Sequence, residues 1–277
     1  MADTIKIGAL ISGTGTNLRA IIDACKEGEL AGEVVFIGSD NPQAAGLELG
    51  HRHGIPTFVI DYRAIIRSAR DALSGSALPL DASLNELREK QNLFPASVDP
   101  QKVTAFLTSR VIAESRLLKA MAPHDVDLLV LAGYMRTLTP YFIDRVNTDA
   151  KHPRIMNIHP ALLPAFPGTD GYGDAFRFGC KVAGCTVHFV DYGEDTGPII
   201  GQKAFPIEKN DTLDTVRKKG LKLEWVLYPE CIDLFAQGRL KIVEMTYNRP
   251  GRRQSLKRTV VKILPGKAGA DADLGSR

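Results

Sequence analysis

Apolar positions along this chain fall into two alternating spacings. Residues 5–11 are apolar almost throughout and are closed by Ser12-Gly-Thr-Gly-Thr-Asn17. Leu18, Ile21, Ile22 and Cys25 then recur at helical spacing, with Gly28 as a stop. A second strand-like run at 34–38, a helical stretch at 43–53 and a third run at 57–61 repeat the rhythm. Strand, helix, strand, helix, strand at this spacing predicts right-handed crossovers and a parallel sheet. The run 127–133 is apolar on both alternate sets, as a central strand covered on both faces must be. Another strand at 154–158 ends in His159-Pro160.

Beyond it the pattern changes. Residues 185–191 and 198–205 alternate in polarity and are separated by a Tyr-Gly-Glu-Asp-Thr-Gly loop, which predicts two neighbouring antiparallel strands. A long helix follows over 212–237, with Leu213, Val216, Leu223, Val226 and Leu227 among its apolar positions. The expected class is therefore α/β, with a mostly parallel central sheet flanked by helices and a late antiparallel pair. Two stretches fit poorly. Residues 64–108 show one convincing helix, near 83–92, and the chain from Asn248 onward reads as loop-rich or disordered. No internal repeat is present.

Composition narrows the classes. The chain has 277 residues, 44% hydrophobic and 24% charged, enough for one large domain or two small ones. No apolar run approaches the about 18 residues that a membrane span needs, which argues against an integral membrane protein. The first residues lack the basic flank and long apolar stretch of a signal peptide. Cys25, Cys180, Cys185 and Cys231 form no Cys-x-x-Cys pair, so reduced thiols and a cytoplasmic setting are expected. The net charge of +3 is unevenly placed: residues 242–277 carry +5 and the first 241 carry −2. Positive charge gathered in one terminal stretch weakens a nucleic-acid reading, which wants basic residues over a folded face.

Three groups of residues offer chemistry. The Ser12–Asn17 loop lies between a strand and a helix, where backbone N–H groups bind anions. It lacks both the third glycine of a dinucleotide fingerprint and a Gly-Lys-Ser/Thr, so it is either a tight structural turn or a monophosphate ester site. Asn157 and His159 sit at the C-terminal end of a strand, where open α/β sheets place ligands, and their two-residue spacing puts them on one face. An amide beside an imidazole suits a carbonyl oxygen that becomes negative, although a lone histidine is also commonly structural. Asp195 matters only if the fold carries it to His159, where it would orient the ring and favour its charged form. His188, within a strand, faces either the site or the core. No Cys/His cluster has ligand spacing, so no metal is expected. No Gly-x-Ser-x-Gly elbow supports a serine hydrolase.

Together the segments 11–18, 131–136, 157–168, 186–191 and 195–198 resemble the phosphoribosylglycinamide formyltransferase family, folate-dependent enzymes of purine synthesis. The resemblance covers 5–63 and 109–241, and its Asn-Ile-His-Pro block followed by Asp-Thr-Gly-Pro is specific for folate-dependent formyl transfer. It implies a Rossmann-like sheet, 10-formyltetrahydrofolate as donor and glycinamide ribonucleotide as acceptor. It implies that Gly15, Thr16 and Asn17 hold the acceptor phosphate and that Glu224 binds the ribonucleotide. Arg110, Met135, Arg136, Thr137 and Leu138 would line the folate site with Asn157 and the loop Asp191, Tyr192, Gly193, Glu194 and Asp195. Asn157, His159 and Asp195 match the family's catalytic trio.

The chain departs from the family at Thr169–Asp174, where a histidine-bearing segment is usual, and at Trp225, where histidine is common. The expected organisation is a formyltransferase domain over 1–241, carrying an insertion at about 64–108, and a basic tail over 242–277. A monomer or homodimer is expected, with no nucleic-acid or membrane partner. Formyltetrahydrofolate deformylase shares the trio but normally carries an N-terminal regulatory domain, for which a first strand at Ile5 leaves no room. Methionyl-tRNA formyltransferase needs a C-terminal RNA-binding domain larger than this tail. A degenerate binding module would not need all three catalytic residue types.

Overall fold

Strict alternation in the central strands decides the layering. The computed structural model describes residues 4–71, 78–248 and 255–266. Its elements in chain order are β1 (Ile5–Ile11), α1 (Thr16–Glu27), β2 (Gly32–Ser39), α2 (Leu47–His53), β3 (Thr57–Val59), α3 (Tyr62–Asp71), α4 (Leu84–Lys90), α5 (Pro100–Met121), β4 (Leu128–Leu131), α6 (Pro140–Val146), β5 (Ile155–His159), α7 (Gly171–Phe178), β6 (Val182–Phe189), β7 (Ile199–Pro206), α8 (Leu213–Ala236), β8 (Leu240–Tyr247) and β9 (Leu256–Ile263). In β1, Ile7, Ala9 and Ile11 face one side and Leu10 the other; in β4, Leu128 and Val130 oppose Leu129 and Leu131. The first set packs with Leu18 and Ile21 of α1, Ala175 of α7 and Val216 and Leu227 of α8. The second packs with Leu117 of α5 and Phe142 of α6. A sheet apolar on both faces is thus closed by helices on both.

Among the described residues seven strands form this sheet, in the order β3-β2-β1-β4-β5-β6-β7. The first five are parallel, and β6 and β7 run antiparallel to their neighbours. Successive crossovers turn outward in opposite directions from β1 and β4, so the loops after these strands part at a topological switch point. The loop after β5 opens at the same end of the sheet. No helix among the described residues is long and apolar enough to cross a membrane.

Three expectations need correction. The helix expected over 43–53 starts only at Leu47, because residues 41–46 form turns in which Gly46 approaches the loop after β1. The stretch 64–108 holds most of α3, all of α4 and the start of α5, where one helix was expected. Asp99 accepts a bond from Gln101 N–H and Pro100 stands at the first helical turn, a strong start signal for α5. Its inner face includes buried Ser109, Ala113 and Glu114, which dilutes the hydrophobic period. Finally, the stretch from Asn248 onward is not irregular throughout: β9 pairs antiparallel with β8, from Leu240↔Ile263 to Tyr247↔Leu256. Leu240, Ile242 and Val261 pack against the main core, which gives the hairpin its buried side. Residues 249–254 and 267–277, with their Arg-Pro-Gly-Arg-Arg and Lys-Ala-Gly sequences, lie outside the described residues.

Candidate active site

A cavity of about 580 Å³ opens at the C-terminal ends of β1, β4 and β5, within the size range of small-molecule sites. Gly15 caps α1 with φ 71°, and a Cβ there would lie 2.9 Å from Gly46 Cα, so both backbone shape and space require glycine. No side chain caps α1, and no acid stands in its first turn. The free N–H groups of that turn and the positive end of the helix dipole suit an anion. Behind them Glu224 of α8 is 5% exposed, and its carboxylate accepts from Asn17 Nδ2 and from the Tyr172 hydroxyl, each at 2.7 Å.

Asn157 and His159 project from β5, as their spacing requires. Asp195 comes from the loop between β6 and β7, and its Oδ2 lies 3.1 Å from His159 Nδ1. The same oxygen accepts from Gly168 N–H at 2.9 Å. His159 Nε2 meets the carbonyl of Phe166 at 2.8 Å. Both ring nitrogens therefore face oxygen atoms, one of a carboxylate and one of a backbone carbonyl. Phe166 and Asp195 both hold φ near 54°, a strained shape for residues with side chains, and both are tied to His159. Burial opposes ionisation of Asp195, but the His188 hydrogen bond, the His159 charge and the Gly168 N–H outweigh it, leaving its carboxyl below the usual range.

His188 faces the site rather than the core. It stands opposite Asn157 in the β5–β6 register, and its Nε2 lies 3.2 Å from Asn157 Nδ2 and 3.6 Å from Asp195 Oδ1. Its Nδ1 donates to the Phe189 carbonyl at 2.8 Å. Asn157 Nδ2 is 3.5 Å from Asp195 Oδ1, at the outer limit of a hydrogen bond.

The other wall is the loop after β4. Met135, Arg136, Thr137 and Leu138 line the cavity, with Asp191, Gly193 and Glu194 across from them. Buried Asp40, at the end of β2, holds Arg136 Nε and accepts from the Ser12 hydroxyl, while Met135 N–H donates to Ser12 Oγ at 2.8 Å. Of the residues expected from the sequence, two do not line this cavity. Tyr192 turns its hydroxyl to Asp144. Arg110 lies on α5 with its guanidinium 4.8 Å from the Phe106 ring centre and 5.5 Å from that of Tyr62; Arg136 lies 5.6 Å from the same tyrosine. Asp40 and Tyr172 carry no motif of their own and escaped the sequence reading, and Ser12 was read only as the first residue of the 12–17 loop. Among the described residues, no three His, Cys, Asp or Glu side chains gather into a metal-holding group.

An amide, an imidazole and a carboxylate beside a helix N-terminus without a side-chain cap can stabilise a carbonyl oxygen as it becomes negative and move a proton, the requirements of acyl transfer. Comparison with known proteins agrees. Phosphoribosylglycinamide formyltransferase of Bacillus subtilis (strain 168) is 34% identical over 227 residues, 82% of this chain and 92% of the relative. That of Escherichia coli (strain K12) is 32% identical over 249 residues, 90% of this chain and 95% of the relative. The solved structure of glycinamide ribonucleotide transformylase 1 from Symbiobacterium toebii superposes with a TM-score of 0.67 at 36% identity, covering 95% of each chain. The sequence model for the formyl transferase family matches residues 5–232, which span the helix terminus, the cavity and all three members of the trio, and the chain belongs to that family.

Proposed function

We propose that the chain is a phosphoribosylglycinamide formyltransferase, moving the formyl group of 10-formyltetrahydrofolate to the amine of 5'-phosphoribosylglycinamide in purine biosynthesis. The observation that carries this reading is the convergence of Asn157, His159 and Asp195 between an uncapped helix terminus and the 133–138 loop. The acceptor phosphate binds at the N–H groups of Gly15, Thr16 and Asn17, and Glu224 receives the ribose hydroxyls. The donor wall fits a folate. Met135 and Leu138 offer apolar surface, and Arg136 offers positive charge for a carboxylate tail. Asn157 and the loop 191–195 complete that side.

The acceptor amine attacks the formyl carbon, and the carbonyl electron pair moves onto oxygen. An Asn157 N–H, held only weakly by Asp195, turns to that oxygen. Both N–H groups of His159 are engaged, so the ring contributes positive charge, which Asp195 sustains. Asp195, directly or through water, takes the proton from the attacking nitrogen and delivers it to the folate nitrogen as the carbon–nitrogen bond to folate breaks. The formyl transferase unit is 1–241 with an insertion at about 64–108, and the protein works in the cytoplasm as a monomer or homodimer without nucleic acid or membrane.

The test is an assay with 10-formyltetrahydrofolate and glycinamide ribonucleotide against a control without acceptor. Folate product that appears only with acceptor supports transfer. Equal product without it makes the protein a deformylase.

A further inference from the structure

Gly220 sits in the interior of α8, where glycine is among the poorest helix formers. Its neighbour accounts for it. A Cβ on Gly220 would lie 2.1 Å from Tyr172 Cζ and 2.4 Å from the Tyr172 hydroxyl. The tyrosine ring thus reaches into α8 only because Gly220 has no side chain. The ring end arrives beside Glu224, one helical turn further along, and its hydroxyl donates to Glu224 Oε1 at 2.7 Å. Tyr172 and Glu224 are each 5% exposed, and both line the cavity. Burial first, and the Glu224 carboxylate second, push the phenol far above its usual pKa, so it stays a donor.

Asn17 Nδ2 holds the other carboxylate oxygen at 2.7 Å, while Asn17 Oδ1 is buried without a protein partner. An ionised carboxylate offers about four acceptor positions, of which these donors take two.

We propose that Tyr172 and Gly220 form a matched pair that sets acceptor affinity: the phenol, admitted by the missing side chain, fixes the rotation of the Glu224 carboxylate so that its remaining lone pairs meet the ribose hydroxyls. Tyr172 is a positioning residue, acting through Glu224. The inference rests on the reading of the acceptor as glycinamide ribonucleotide.

Tyr172→Phe tests it, because the ring and its packing remain and only the donor is lost. The expected result is a rise of about tenfold in KM for glycinamide ribonucleotide, the scale of one hydrogen bond to a charged group, with kcat and KM for 10-formyltetrahydrofolate unchanged. Ribose 5-phosphate, which carries the sugar and phosphate without the amine, should weaken in parallel as a competitive inhibitor. Gly220→Ala, which thrusts a methyl into the ring, should reproduce the same acceptor-specific rise in protein that circular dichroism shows to be folded. An unchanged acceptor KM in Tyr172→Phe, or equal rises in both KM values, overturns the pairing while leaving the formyl transfer reading intact. A wild-type protein that transfers no formyl group to glycinamide ribonucleotide overturns both.

Discussion

His159 is held by the carbonyl of a strained residue on one side and a carboxylate on the other, so the two contacts together fix its orientation. His159→Ala or Asp195→Asn should lower turnover by about 10²–10⁴-fold, with the melting transition retained; full formyl transfer by either variant refutes the assignment. Glu114 offers a second test, of stability. Burial, opposed by the Thr139 bonds and the nearby Arg110 and Arg145, pushes its carboxyl up to about 8. The unfolded chain releases that proton near pH 4.3, at about the ordinary value. Between the two values the folded state keeps a proton that the unfolded state has lost, so rising pH favours unfolding through this group. Glu114→Gln removes the titration, and its melting temperature should fall less than that of the wild type between pH 5 and pH 8; parallel curves would contradict this. At this scale the sequence was legible where spacing is short. Asn157 and His159 share a face because two residues separate them on one strand. The approach of Asp195 depends on the β6–β7 loop folding back, and only the family resemblance pointed to it. A single tyrosine such as Tyr172, or a single aspartate such as Asp40, announces nothing until its partner is beside it.

Elements were legible where one period dominates. The β1–β3 repeat and α8 follow the pattern to within a few residues, because each buries a continuous apolar stripe. The first half of α5 was not, since its inner face mixes Val103 and Leu107 with buried Ser109, Ala113 and Glu114. The Asp99-Pro100 start was readable all the same. Asp99→Ala should cost about 1 kcal/mol of stability, read as a lower urea midpoint. It leaves kcat unchanged, because the start of α5 packs with α4 around Leu87 and away from the trio. The hairpin of β8 and β9 escaped because Lys257, Arg258 and Lys262 give β9 the composition of a solvated tail, while only Leu240, Ile242 and Val261 record that one side is buried.

Across the whole molecule, the sheet order explains why residues so far apart in sequence meet. The strands that diverge at the switch point leave a cleft between their loops, and the antiparallel β6–β7 pair returns Asp195 across it. Net charge was a poor guide to the site, because the start of α1 offers backbone N–H groups rather than charged side chains and the excess cations lie beyond residue 241. The Ser12 hydroxyl joins the 12–17 loop to Met135 N–H and, through Asp40, to Arg136 on the facing wall. The expected consequence is coupling: a substrate that orders one wall orders the other through these contacts, so the second substrate meets a surface already stilled. Calorimetric titration should show each substrate binding more tightly when the other, or an unreactive analogue of it, is present. The factor must be the same in either order, and Ser12→Ala should bring it close to one.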